Sequence, residues 1–119
     1  MQITEIAFTG TPVTDIKRAR EFYEEVLGLR PMLETLNGML VEYEIGNGIF
    51  TIGCLGDAFR PSSDGTFVSL EVENLDDAVA RLNSCGVHFV IGVTELPTSK
   101  FVVVSDPDGN NIMIHKRKV

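Results

Sequence analysis

Side chains able to do chemistry are scarce in this chain of 119 residues, which has two histidines, His88 and His115, and two cysteines, Cys54 and Cys85. Histidine changes charge near neutral pH, so each is a candidate acid, base or metal ligand. His115 stands two residues beyond Met113, and period-two alternation along a strand puts both on one side. Two readings of His115 stand: a strand-end histidine in contact with solvent, or a ligand contact or proton donor at the rim of a site. His88 opens a strand beside Gly86-Val87 and reads as structural. Glu71 alternates with Phe67 and Ser69. It is either a rim carboxylate in water or the partner of a cationic ligand or of His115. Glu42 and Glu44 share one side of another strand, and alternation alone does not say which face that is. The cysteines lack a C-x-x-C spacing and read as small buried hydrophobes, reduced rather than bridged. No Ser-His-Asp set, activated cysteine, phosphate-binding glycine loop or paired-carboxylate motif is present, and Gly46-Asn47-Gly48 is only a turn.

The elements that must position these residues are organised around Val13 to Leu29. Ile16, Ala19, Phe22, Tyr23, Val26 and Leu27 recur at spacings of three and four, which predicts a helix over 15–27 with one buried stripe. Thr14 or Asp15 caps its start, and Gly28 sits where it should end. The stretch recurs: Val13, Asp15, Ile16 and Ala19 answer to Val72, Asn74, Leu75 and Ala78, and Gly28 answers to Gly86. A repeat of this kind decides the fold reading. A second helix is predicted over 75–85, capped by Asn74. Strands are predicted over 3–9, 39–45, 49–55, 66–73, 88–93, 100–105 and 111–116, with Arg30 to Gly38 as loop. Pro12 confines its strand to an edge or a bulge. The reading is α+β: two modules, 1–56 and 66–119, each a strand, a helix and then two or three strands, joined by a linker over 57–65. Joined edge to edge, they would form a curved mixed sheet of up to eight strands. Helices would coat the convex face and leave a concave cup, the natural place for a small ligand.

Bulk properties narrow the function. The formal charge is −7, and an acidic surface repels phosphate backbones, so nucleic acid is not the expected partner. The basic run Lys116-Arg117-Lys118 reads as a solvated tail. No apolar run approaches the length of a membrane span, and the N-terminal residues lack a signal-peptide core, so a cytoplasmic location is expected.

Val13-Thr14-Asp15-Ile16, Phe22-Tyr23, Leu27-Gly28-Leu29 and Asp106-Pro107-Asp108-Gly109-Asn110, in this order across nearly the whole chain, resemble the vicinal oxygen chelate superfamily. That superfamily includes glyoxalases, fosfomycin and bleomycin resistance proteins, and extradiol dioxygenases. The resemblance implies paired βαβββ modules and a divalent metal held in the cup by His, Glu or Gln. The positions it implies for those ligands fall on Phe8, on about Thr51, on Phe67 and on Met113. Phenylalanine has no donor, a neutral hydroxyl is a weak one, and a thioether is soft, so these four do not suit a hard or borderline cation.

The expectation is therefore a metal-free small-molecule binding protein with no cofactor. An apolar or aromatic ligand would contact Phe8, Thr51, Phe67, Ser69, Glu71, Met113 and His115. The alternative is a glyoxalase-like lyase or other enzyme whose metal is relocated or absent. An uncovered apolar face and open strand edges predict a homodimer; many relatives pair in this way. If Phe8, Phe67 and Met113 instead fill the cup as core, the chain stands alone.

Overall fold

The computed structural model describes residues 1–118, which divide into two compact units, Met1–Pro61 and a second that begins at Ser62. The first contains β1 (Thr9–Pro12), α1 (Ile16–Arg20), β2 (Pro31–Thr35), β3 (Leu40–Ile45) and β4 (Gly48–Gly53). The second contains β5 (Val68–Glu71), α2 (Leu75–Ser84), β6 (Phe89–Leu96), β7 (Ser99–Ser105) and β8 (Asn111–Arg117). Each is a βαβββ module. The strands pair as two four-stranded sheets, β1-β4-β3-β2 and β5-β8-β7-β6. In each, the first strand runs parallel to the last and the other pairings are antiparallel. The architecture is α+β.

Both helices start as their side chains dictate. Asp15 Oδ1 accepts from the Arg18 N–H at 3.1 Å, and Asn74 Oδ1 from the Asp77 N–H at 3.0 Å. These bonds satisfy donors that have no partner inside the helix. The first helix does not stay α-helical to 27. After Arg20 it widens into π-helical turns over Glu21–Val26, where the Leu27 N–H reaches back five residues to the Phe22 carbonyl at 3.0 Å. Gly28 and Gly86 follow the two helices with φ of 79° and 68°, a region glycine enters without steric cost.

The core of the first unit lies between helix and sheet. Ala19, Phe22 and Tyr23 are buried with Val41, Tyr43, Phe50 and Ile52, and the Tyr23 and Phe50 rings lie 5.3 Å apart. In the second unit Leu75 and Leu82 are buried, as are Val102, Val104, Ile112 and Ile114 of β7 and β8. Among the described residues no helix is long and apolar enough to cross a membrane.

Several expectations change. Arg30 to Gly38 is not all loop: Pro31–Thr35 is an edge strand against β3, and proline is tolerated because it opens the strand. The expected strand over 3–9 is reduced to its end. β1 pairs in parallel with β4, Thr9 opposite Phe50, so residues before Ala7 lie past the start of β4 at Gly48 and pair with no strand among the described residues. The second helix ends at Ser84, which leaves Cys85 as its exposed cap residue. Cys54 is half-buried, so neither cysteine is the fully buried hydrophobe expected, although both are free. Lys116 and Arg117 belong to β8, and Lys118 Nζ bonds Glu95 at 2.8 Å, so the basic run is a strand end and not a loose tail.

Candidate functional site

Cross-strand register fixes which residues share a face, because partners opposite one another point the same way. In the first unit Gly10 stands opposite Thr51, and Thr51 opposite Glu42. The neighbouring set Val41, Tyr43, Phe50 and Ile52 is buried on the helix side, so Gly10, Thr51, Glu42 and, by alternation, Glu44 lie on the other face. That answers the question alternation left open for the two glutamates. Phe8 is 58% exposed just before β1, and its ring leans over Gly10: a Cβ there would sit 3.7 Å from the ring and 3.3 Å from Thr51 Oγ1. A glycine two residues after Phe8 was the signal in the sequence for this close approach. Thr51 is buried, and its hydroxyl donates to the Thr9 carbonyl at 3.3 Å.

In the second unit Ser69 stands opposite Met113 and Glu71 opposite His115, and across the next pairing Met113 meets Val103 and His115 meets Phe101. These six share the face opposite Val102, Val104, Ile112 and Ile114, and Val103 among them is itself buried. Phe101 and Val103 were not singled out from the sequence, although their alternation was visible in it. Phe67 precedes β5 and is 53% exposed. The structure thus groups the expected contacts by unit: Phe8 with Thr51, and Ser69, Glu71, Met113 and His115 together, with Phe67 one residue before the strand. Phe8 and Phe67 are half-exposed, so they do not fill a core.

The polar centre of the second face is Glu71. Its Oε1 lies 2.6 Å from His115 Nδ1, and its Oε2 accepts from the Arg117 backbone N–H at 2.7 Å. The Arg117 N–H, and after it His115, hold the Glu71 carboxyl below the usual carboxylate range. An ionised carboxylate only accepts, so Nδ1 carries the proton of this bond. In the neutral ring Nε2 is then left as the accepting nitrogen, the arrangement a general base requires.

A second polar cluster lies on the helix side of the first unit and was not read from the sequence. The buried Tyr43 hydroxyl donates to Glu24 Oε2 at 2.8 Å, Arg20 Nε donates to the same oxygen at 2.6 Å, and Arg20 also pairs with Glu34. Burial, with Glu24 adding to it, pushes the Tyr43 hydroxyl above its ordinary value. The bonds to Glu24 and Glu34 raise the Arg20 guanidinium. A groove of about 510 Å³ runs beside this cluster, between Ile16–Glu25 and the Asn37-Gly38 turn. Arg20 and Glu24 of its lining are bonded to each other, so it reads as the wet edge of the helix packing.

A metal does not fit the positions where the fold family would hold one. Phe8 and Phe67 have no donor atom, the Thr51 hydroxyl is committed to a carbonyl, and Met113 offers a thioether. Among the described residues no group of three or more His, Cys, Asp or Glu could hold a metal ion.

The family model for the glyoxalase/bleomycin resistance protein/dioxygenase superfamily matches residues 5–114. TnmS3, an antibiotic binding protein from Streptomyces sp. CB03234, is similar in structure, with a TM-score of 0.80, 23% identity and 99% of each chain covered. A member of the same superfamily from Sphaerobacter thermophilus DSM 20745 gives 0.78 at 23% identity, covering 97% of this chain and 98% of that one. The lactoylglutathione lyase from Agrobacterium tumefaciens gives 0.76 at 20%, covering 97% and 95%. No curated protein matches the chain. At these identities the solved structures speak for the fold, which binding proteins and a lyase share.

Proposed function

The chain belongs to the glyoxalase/bleomycin resistance protein/dioxygenase superfamily, and from that premise we propose that it is a metal-free protein that binds an apolar or aromatic small molecule. The observation that carries this reading is the chemistry of the open faces. Two half-exposed phenylalanines and a methionine occupy the positions at which the family resemblance implies metal ligands. Aromatic rings and a flexible thioether suit a planar apolar ligand. Phe8 and Thr51 on one face, and Phe67, Ser69, Met113, Glu71 and His115 on the other, are the contacts proposed. The similarity to an antibiotic binding protein supports sequestration of such a molecule. The proposal includes a homodimer in the cytoplasm, with no cofactor and no nucleic-acid partner. Titration calorimetry with planar aromatic compounds, in EDTA, tests it: heat from a saturable site supports the reading, and binding only after a divalent metal is added contradicts it.

A second reading is favoured by one distance. The 2.6 Å contact from Glu71 to His115 orients an imidazole as a general base, which suits an enzyme working without the family metal. Turnover lost in His115→Gln, with ligand binding retained, would establish it over the first.

A further inference from the structure

We propose that the second unit carries an anion site, separate from the open face described above, that takes the phosphate group of a small molecule. Four of the chain's ten basic residues, Lys100, Lys116, Arg117 and Lys118, line one groove of about 310 Å³ against two acids, Glu73 and Asp76. The groove is therefore positive in a chain whose formal charge is −7. The register of β7 and β8 brings the cations together. Lys100 stands directly opposite Lys116, two residues along from the buried pairing of Val102 with Ile114, so both amines lie on the helix side of the sheet. Met113 and His115 alternate to the other side.

The two lysines are not equally matched. Glu95, opposite Lys100 on β6, reaches Lys100 at 3.7 Å and Lys118 at 2.8 Å. Lys116 has no such acid on its other side, because β5 ends at Glu71, whose carboxylate is bonded to His115 and to the Arg117 backbone N–H. Among the described residues the Lys116 amine and the Arg117 guanidinium form no hydrogen bond or ion pair. Lys116 is half-buried and faces a like charge across the ladder, which is destabilising until an anion joins the two. The start of α2 is not the source of the attraction. Asn74 already accepts from the Asp77 N–H, and Glu73 and Asp76 make that wall negative. The strand cations do the selecting. An ammonium is a point charge for one phosphate oxygen, and a guanidinium donates in a planar fork that matches two. The volume lies near the lower end for small-ligand clefts, which leaves room for a phosphate with a small organic group. The acids on the wall disfavour a long polyanion.

Calorimetry on the full chain at low ionic strength, in a buffer free of phosphate, tests this with two probes, inorganic phosphate and glycerol 3-phosphate. Saturable binding that weakens as sodium chloride is added is expected. Lys116→Gln/Arg117→Gln should weaken it at least tenfold, since each change removes a charged donor. Arg30→Gln/Arg60→Gln removes the same charge from exposed positions in the first unit and should leave binding unchanged. Tighter binding of the ester assigns the site to a phosphorylated small molecule, equal binding assigns it to phosphate itself, and both support the site. No saturable binding of either probe at millimolar concentration overturns the proposal. Equal weakening by the two double variants overturns it as well, because net charge alone would then attract the anion.

Discussion

His115 Nδ1 lies 2.6 Å from Glu71 Oε1 across the parallel pairing of β5 and β8. The other Glu71 oxygen takes the Arg117 backbone N–H at 2.7 Å, so one carboxylate ties the end of the edge strand to two points on β8. The Glu71 pKa is depressed in the folded chain, chiefly by the Arg117 N–H. A depressed folded value means that the stability this group contributes is present above the unfolded carboxylate value. It is lost as pH falls through the folded value. The Arg117 amide shift should therefore titrate with a midpoint below the ordinary glutamate value of about 4.3. In Glu71→Gln that titration should vanish. A midpoint at or above the ordinary value would mean that the bond is not made in solution.

The Tyr43 hydroxyl, buried and bonded to Glu24, should resist ionisation and contribute to stability. Tyr43→Phe removes one bond to a charged acceptor, for an expected loss of about 1–2 kcal/mol. Urea denaturation should show a lower midpoint with an unchanged slope. No change in midpoint would show that Glu24 is satisfied by Arg20 alone.

The caps should act alike in the two units. Asp15→Ala and Asn74→Ala each remove the side-chain acceptor at a helix start. Each is expected to cost about 1 kcal/mol by the same denaturation measurement. Near-zero effects from both would mean that water replaces the caps at no cost.

What could be read from the sequence follows from how local each interaction is. Asp15 and Asn74 cap within three residues of themselves, and Gly28 and Gly86 take positive φ where the apolar stripes end, so the helix starts and the repeat were legible. The π-helical turns over Glu21–Val26 were not, because the apolar spacing fits α and π turns equally over one or two turns. The edge strand Pro31–Thr35 hid behind Pro31 and the Asn37-Gly38 turn, since an edge strand depends on β3 and not on its own pattern. The strand expected over 3–9 failed in the opposite sense: the pattern was there, and the register of β1 with β4 left it no partner. In the site, alternation put His115 beside Met113. Only the β5–β8 register shows that Glu71, forty-four residues away, is the group it meets. Which face Glu42 takes was likewise a matter of its pairing with Thr51.

The metal question has a direct answer in elemental analysis. Untagged protein should carry no stoichiometric Zn, Ni, Mn or Fe, since Phe8, Phe67 and Met113 are poor or absent donors for such ions and Thr51 is already bonded. About one metal per chain would place a site at residues other than these four.

The central claim is that the open faces bind aromatic ligand without metal, with Phe8 a contact in one unit and Phe67 a contact in the other. The most direct measurement is the thermal shift given by planar aromatic compounds in EDTA, with wild type compared against Phe8→Ala/Phe67→Ala. A ligand that binds the native state raises its Tm in proportion to occupancy. Both rings are half-exposed, so the double variant should fold and keep its own Tm close to wild type. The account predicts a concentration-dependent rise in wild type that the double variant loses. A rise that survives in the double variant, or that requires an added divalent metal, would contradict it.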